Sequence, residues 1–180
     1  MKRKLILCLG NPGQDYQYTR HNVGWLFGDA LREHLRAPLP RENKKFHALV
    51  TANRYQDEEV IIAYPTTFMN DSGLAAATIT NFYQLEPASD LLVVHDDLDI
   101  CVGRYKLTRK LPRTHNGLAS VKNQLGTDQF TCLRLGVDDR NGDRRIAPVD
   151  YVLMKFSSQQ LGQFTSEVFP AAIREVLAWL

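Results

Sequence analysis

The first residues with chemical potential follow the first apolar run of the chain. The stretch LGNPGQDYQYTRHNVGWLF, residues 9–27, places Asn11 in a Pro-Gly turn and His21 at the start of a helical pattern. A neutral imidazole that hydrogen-bonds a carboxylate can act as a general base near neutral pH. Because the pattern G-x-S-x-G does not occur, no serine stands in a nucleophile elbow. We therefore expect His21 to activate water.

A second polar group ends another apolar run, LLVVHDDLD at residues 91–99. Functional groups of open α/β sheets gather at the carboxyl ends of strands, so an aspartate of this run is expected near His21. The acids could instead bind Mg²⁺ or cap the following turn. Neither G-x-x-x-x-G-K-[ST] nor G-x-G-x-x-G is present, which argues against a nucleotide site and a metal beside it. We expect no metal and no cofactor.

Asparagines recur at predicted turns and helix starts. Asn is favoured at such positions for its local hydrogen bonds, so each one taken alone has a structural explanation. Together their amides could hold a peptide-like ligand, because each amide both donates and accepts hydrogen bonds. The four residues are Asn11, Asn22, Asn70 and Asn116.

The elements that must position these residues alternate between strand and helix patterns. This alternation predicts an α/β fold, and a hairpin within it makes the sheet mixed. We expect a single domain over residues 1–180, a twisted mixed β-sheet with helices on both faces. The predicted strands are 4–10, 46–52, 59–64, 91–97, 103–107 and 132–137; the predicted helices start at Thr19, Ser72, 115 and Ser157, with Pro170 kinking or splitting the last.

Composition limits the class of protein. The 180 residues are 44% hydrophobic and 23% charged, which is typical of a soluble globular domain. The apolar run Leu5 to Leu9 is too short for a membrane span or a signal peptide, so we expect a cytoplasmic protein without a membrane partner. Three scattered cysteines are expected to be reduced thiols.

One local patch is basic, although the net charge is only +2. The segment GRYKLTRKLPR, residues 103–113, contains no acid. It is either a solvated strand and loop or a surface that contacts nucleic-acid phosphates. Its cations are Arg104, Lys106, Arg109, Lys110 and Arg113, and Lys122 and Arg134 could extend it.

Four blocks in order resemble the bacterial-type peptidyl-tRNA hydrolases, which hydrolyse the ester between peptide and tRNA. The blocks are LGNPGQDYQYTRHNVG, PTTFMNDSG, LLVVHDDLD and HNGL, and the resemblance extends to about VDYVLMKFS. It implies the fold of that family, peptidyl-tRNA as the partner and no cofactor. We also expect a monomer.

The resemblance implies a role for each matching residue. His21 is expected to be the base, Asp96 its orienting partner, and Asn11 the residue that positions the water or the scissile carbonyl. The remaining positions are expected to bind substrate: Asn70 and Asn116 the peptide backbone and the tRNA-proximal end, Tyr16, Phe68 and Met69 the walls of the cleft, and Lys106, Arg134 and Arg104 the tRNA phosphates.

One segment departs from the family pattern. Members usually carry a glycine-rich run before HNGL, whereas this chain reads TRKLPRTHNGL. The loop is therefore expected to be rebuilt, with extra cations that could grip tRNA. The departure keeps one alternative open, a non-catalytic RNA-binding module like the plant organellar splicing proteins of the same fold. The retained His21, Asp96 and Asn11 favour hydrolysis.

Overall fold

The computed structural model describes residues 2–143 and 145–180. Seven strands form one sheet in the order β2-β3-β4-β1-β5-β7-β6. The strands are β1 Lys2–Cys8, β2 Arg41–Asn43, β3 Ala48–Tyr55, β4 Glu58–Pro65, β5 Leu91–Cys101, β6 Tyr105–Thr108 and β7 Thr131–Asp138. The helices are α1 Val23–His34, α2 Gly73–Tyr83, α3 Pro87–Asp90, α4 Asn116–Leu125, α5 Pro148–Tyr151, α6 Ser158–Gln163 and α7 Phe169–Trp179.

The sheet is mixed, which confirms the predicted fold class. Strands β4, β1, β5 and β7 run parallel in its centre. The hairpin partner β3 and the two edge strands β2 and β6 run antiparallel to their neighbours. The central strands have apolar runs because both of their faces are covered.

Apolar side chains pack on both faces of the sheet. Ile6 and Cys8 belong to one buried cluster, which includes Phe27 of α1 and Phe169 of α7. Leu5, Leu7 and Leu9 belong to a second cluster, which includes side chains of α2 and α4. This alternation along β1 follows the period of two residues in a strand. Helices on both faces are thus confirmed.

The strand β5 is longer than predicted. We expected it to end at residue 97, but it continues to Cys101 with an irregularity between Asp97 and Cys101. Pairing with β7 extends it, because Asp96 lies opposite Leu135 and Asp97 opposite Gly136. The acids therefore sit within the strand and not in the loop after it.

The predicted caps of the first two helices are wrong. The Thr19 hydroxyl donates to the Tyr16 carbonyl at 2.9 Å, and neither Thr19 nor Ser72 makes a capping hydrogen bond. A turn of 3₁₀ helix, Arg20–Asn22 or Met69–Asp71, precedes each helix and supplies its first turn instead. Sequence alone does not distinguish a 3₁₀ turn from a capped helix start.

The C-terminal helix is split, as predicted. Ser157 caps α6 through a capping box with Gln160, and a π-helical turn over Phe164–Val168 joins α6 to α7. Pro170 lies in the first turn of α7, where its missing N–H costs least. No helix in the described ranges combines the length and apolarity needed to cross a bilayer.

Gly24 lets α1 begin directly against two strand ends. A Cβ at this position would lie 2.5 Å from the Leu9 carbonyl oxygen and 2.7 Å from that of Val94. Both atoms belong to the backbone of the sheet, so relief would require a backbone shift. The close approach sets the distance between His21 and β5.

We predict that Gly24→Ala lowers the free energy of unfolding by about 1–3 kcal/mol, the usual cost of overpacking. Gly162→Ala is the matched control, because a Cβ there meets nothing within 4 Å. Because Gly162 lies in a helix, Gly162→Ala should raise the free energy of unfolding by about 0.5–1 kcal/mol. Urea midpoints measure both, and a loss of stability in the control but not in Gly24→Ala would contradict the packing argument.

Candidate active site

Polar residues of the four sequence blocks quoted above surround one cleft at the carboxyl ends of β1, β4 and β5. The cavity has a volume of about 480 Å³. Asn11 follows β1, Asp96 lies in β5, and His115 precedes α4. The lining includes Asn11, His21, Phe68, Met69, Asn70, Asp96, His115, Asn116, Val149 and Leu153.

His21 and Asp96 form a hydrogen-bonded pair. The His21 Nδ1 lies 2.8 Å from the Asp96 Oδ1, and the two side chains are 13% and 3% exposed. A carboxylate accepts only, so we assign the proton to Nδ1. Nε2 is then left with its lone pair, which is the form a general base requires.

His115 binds the same carboxylate oxygen. Its Nε2 lies 2.9 Å from the Asp96 Oδ1. Its Nδ1 caps α4 by accepting from the Leu118 N–H at 3.3 Å, which assigns the proton to Nε2. One oxygen of Asp96 therefore receives two imidazole N–H donors. We did not anticipate this role for His115, although it stands in the HNGL block beside Asn116.

The pKa values of this cluster follow from its contacts. Burial alone would raise the pKa of Asp96, but the charges and N–H donors of His21 and His115 hold it well below its usual range. Burial alone would lower the pKa of His21, but the Asp96 charge and hydrogen bond raise it above 6.5. The carboxylate thus stays ionised and favours protonation of His21.

His95 is a third imidazole, behind the cluster. It is fully buried, and its Nδ1 lies 2.7 Å from the Asp96 carbonyl oxygen. Burial, followed by the neighbouring His115, lowers the pKa of His95 to about 3. It therefore stays neutral and supports the backbone of β5 beside the carboxylate.

Asn11 is held by three hydrogen bonds to two neighbours. Its Oδ1 accepts from the Met69 N–H at 2.8 Å. Asn22 clamps its backbone, accepting from the Asn11 N–H and donating to the Asn11 carbonyl, each at 2.9 Å. Within the described chain, no protein acceptor is bonded to the Asn11 Nδ2. That amide is free to donate into the cleft, whereas the role of Asn22 is structural.

Exposed apolar and amide groups form the rim. Phe68 is 59% exposed, and Tyr16 packs edge-on against it with ring centroids 6.3 Å apart. Tyr16 is not part of the cavity lining, so it supports Phe68 from outside the cleft. Met69 is buried at the floor. Asn70 and Asn116 are exposed and line the cavity, where we expected them.

The opposite wall comes from the segment 148–156, which sequence reasoning missed. Val149 and Leu153 line the cavity and are 66% and 44% exposed. Arg20, in the turn before α1, holds this segment beside His21, because its guanidinium donates to the Lys155 carbonyl at 2.9 Å. That guanidinium also stacks on the Tyr151 ring, 4.4 Å from its centroid. The burial of Arg20 cannot be read from the sequence, so its position directly before His21 is the one signal that could have drawn attention to this contact.

The three expected phosphate contacts differ in their surroundings. Lys106 is exposed and lies opposite Arg134 in the β6–β7 pairing. Arg134 is bonded through Nε to the Asp97 Oδ2 at 2.5 Å, and the two side chains are 11% and 1% exposed. Arg104 is exposed just before β6. Arg134 is thus partly neutralised by Asp97, whereas Lys106 has no acidic partner among the described residues.

His21, Asp96 and His115 are also the residues that could hold a transition-metal ion, because their ligand atoms lie within 4.8 Å of one another. Both imidazole nitrogens that face Asp96 carry protons in the assigned tautomers. An ion would have to displace both. For Mg²⁺, Asp97 is already engaged, since it accepts from Arg134 and from the Asp99 N–H at 2.8 Å. The geometry suits proton transfer better than cation binding.

Comparison with known proteins connects this cleft to one family. The peptidyl-tRNA hydrolase family model matches residues 5–180. A peptidyl-tRNA hydrolase of Lactiplantibacillus plantarum is 38% identical over 179 residues, which cover 98% of this chain and 92% of that protein. One of Neisseria meningitidis serogroup C is 42% identical over 180 residues, which cover 97% of this chain and 91% of that protein.

Solved structures agree with the sequence comparison. The crystal structure of peptidyl-tRNA hydrolase from Acinetobacter baumannii is 30% identical to this chain and superimposes with a TM-score of 0.81. The superposition covers 97% of this chain and 85% of that one. The predicted family and fold are thus confirmed, and the alternative of a non-catalytic RNA-binding module is not supported.

We predict that NMR titration gives His21 a pKa above 6.5 and that Asp96→Asn lowers it, because the variant keeps the shape but loses the charge. His95 should stay neutral down to about pH 4, since its pKa is about 3. A His21 pKa that does not fall in Asp96→Asn would contradict the proposed pairing.

We also predict that Arg134→Ala lowers the free energy of unfolding by about 3–5 kcal/mol, because it leaves Asp97 buried and unpaired. Its cross-strand neighbour provides the control. Lys106→Ala removes an exposed cation without an acidic partner in the described structure and should change stability by less than about 0.5 kcal/mol. Thermal or urea unfolding measures the change in stability of each variant. If both changes are small and similar, the Arg134–Asp97 pair contributes little to stability.

Proposed function

Because the chain belongs to the peptidyl-tRNA hydrolase family, we propose that His21, Asp96 and Asn11 carry out its reaction. That reaction is hydrolysis of the ester between the peptide and the 3′-terminal ribose of tRNA. The observation that carries the assignment is the hydrogen bond between the His21 Nδ1 and the buried Asp96 Oδ1, which are 2.8 Å apart. This bond leaves the His21 Nε2 open to the cleft. The assignment of each role follows from this geometry and from the free amide of Asn11.

In the first step, the His21 Nε2 takes a proton from water while the water oxygen attacks the ester carbonyl carbon. The imidazolium that forms is stabilised by Asp96, which stays ionised because two N–H groups hydrogen-bond to it. General-base assistance of this kind contributes about 10²–10⁴-fold to the rate.

The attack turns the carbonyl oxygen into an oxyanion. The Asn11 Nδ2 donates to it, and an oriented donor of this kind contributes about 10²–10³-fold. Orientation comes from the fixed amide plane, because the Asn11 Oδ1 is bonded to the Met69 N–H. When the tetrahedral intermediate collapses, the ribose oxygen leaves and receives the proton from the His21 imidazolium.

Substrate specificity requires a hold on the peptide as well as on the ester. Asn70 and Asn116 offer amides to the peptide backbone across the cleft, and the exposed Phe68 offers an apolar surface to a side chain. An unblocked aminoacyl group has less backbone to bind there. We propose that this difference protects aminoacyl-tRNA from hydrolysis.

The proposal also includes the setting of the reaction. No step requires a cation, so we propose hydrolysis without a metal. The substrate is produced by ribosomes, so we propose that the protein acts in the cytoplasm. A monomeric state stays a prediction of the resemblance.

The test is single-turnover release of tRNA from N-acetylaminoacyl-tRNA in the presence of EDTA. We predict that His21→Ala slows release by at least about 10²–10⁴-fold, because the variant loses general-base assistance and also the proton donor for the leaving ribose oxygen. His34→Ala is the matched control, since His34 is exposed at the C-terminal end of α1. Circular dichroism should show that both variants keep the wild-type fold.

Two results would contradict the proposal. Release by His21→Ala at the wild-type rate would exclude His21 as the base. Loss of wild-type activity in EDTA, with recovery on addition of a divalent ion, would replace the metal-free mechanism with a metal-dependent one.

A further inference from the structure

The loop between β6 and α4 separates two cavities. We call residues Arg109–Arg113 the basic loop. One cavity beside it, of about 510 Å³, is lined in part by Lys106, Lys110, Arg113, Arg134 and Asp99. Asp99 and Pro112 line both this cavity and the active-site cleft, so the two spaces adjoin. A ligand could therefore extend from the cleft past the basic loop.

Positive charge dominates the second cavity. Arg134 is paired with Asp97, as described above. Lys106, Lys110 and Arg113 are exposed, and within residues 2–143 and 145–180 none of them has an acidic partner. Asp99 is the carboxylate among the lining residues. The cations therefore exceed the acids, which favours a polyanion.

The basic loop is anchored at several points. The Arg109 guanidinium donates to the Ala88 carbonyl at 3.0 Å, and the Arg134 guanidinium donates to the Lys110 carbonyl at 3.3 Å. Leu111 packs against the buried cluster that includes Leu118. These contacts reduce the conformational entropy that the loop would lose on binding.

The chemistry of the substrate suggests what occupies the cavity. The ester lies on the 3′-terminal ribose, so the first phosphodiester is one nucleoside away from the reacting carbon. A ligand with its ester at His21 must place the following phosphates beside the cleft. The adjoining cavity offers unpaired Lys and Arg side chains, which are the usual partners of nucleic-acid phosphates.

We propose that Lys110 and Arg113 bind phosphates of the tRNA acceptor end next to the scissile ester. This inference rests on the proposed function and assigns a phosphate contact to two cations of the basic segment for which the resemblance implies no role. It also gives Arg134 an additional role, because Arg134 supports the basic loop through the Lys110 carbonyl and is partly neutralised by Asp97. The loop in which glycines are replaced thus becomes a binding element.

The test compares two substrates. N-acetylaminoacyl-tRNA carries the phosphates, and N-acetylaminoacyl-adenosine carries the same ester without them. The double variant Lys110→Ala/Arg113→Ala should raise KM for the tRNA substrate on the order of tenfold and leave the adenosine ester unchanged. The slope of log K against log salt for uncharged tRNA should fall by about 1.4, or about 0.7 for each lost contact with a single strand.

Two further variants serve as controls. Lys2→Ala/Arg54→Ala removes the same charges near the amino ends of β1 and β4, at the other end of these strands from the cleft, where the side chains are 67% and 68% exposed, and should match wild type. Lys110→Arg/Arg113→Lys keeps both charges and should restore most of the binding of tRNA. Rescue by this variant distinguishes charge from a change in loop shape.

The outcomes separate this inference from the proposed function. Equal losses on both substrates would mean that the loop only shapes the cleft, and an unchanged KM and salt slope would mean that it does not bind RNA; either result overturns the inference. If wild type cleaves neither ester, the proposed function fails. The salt dependence of binding to uncharged tRNA still tests Lys110 and Arg113 in that case.

Discussion

The arrangement of the site depends on one buried carboxylate oxygen, the Asp96 Oδ1. A buried charge is costly unless hydrogen-bond donors surround it. Here two imidazole N–H groups supply those donors from different parts of the chain, His21 from the loop before α1 and His115 from the start of α4. Each helix must approach the middle of β5 closely enough to deliver its donor. Gly24 permits that approach for α1.

The same oxygen determines the protonation of the site. Because it accepts from the His21 Nδ1, the lone pair of His21 is on Nε2, on the side of the cleft. His115 cannot act as a second base in this arrangement, because its Nδ1 is occupied by the Leu118 N–H. Its contribution is to help keep Asp96 ionised and fixed. The two histidines share a partner but have different functions, because in the described structure the second ring nitrogen of His115 accepts a hydrogen bond whereas that of His21 does not.

Much of the fold could be predicted from the sequence, because apolar periodicity records burial directly. The runs that form β1, β3, β4 and β7 and the start of α6 were found in this way. The continuation of β5 through its acids was not, since polar residues within a buried strand break that pattern. The roles of His115 and Asn22 depend on contacts across the sheet. No local signal encodes those contacts, although both residues stand beside a residue that the blocks identified.

Arg134 illustrates how an interaction partner changes the meaning of a residue. In the sequence it is one more cation in a basic region, and phosphate binding is the natural interpretation. In the structure its Nε donates to Asp97, and its Nη1 donates to the Lys110 carbonyl. A guanidinium can make both contacts because its donors form a rigid fork. Asp97 partly neutralises the charge of Arg134, while the second hydrogen bond holds the backbone of the basic loop. Among the described residues that line the adjoining cavity, Lys106, Lys110 and Arg113 have no acidic partner, and two of these three lie on the loop that Arg134 supports.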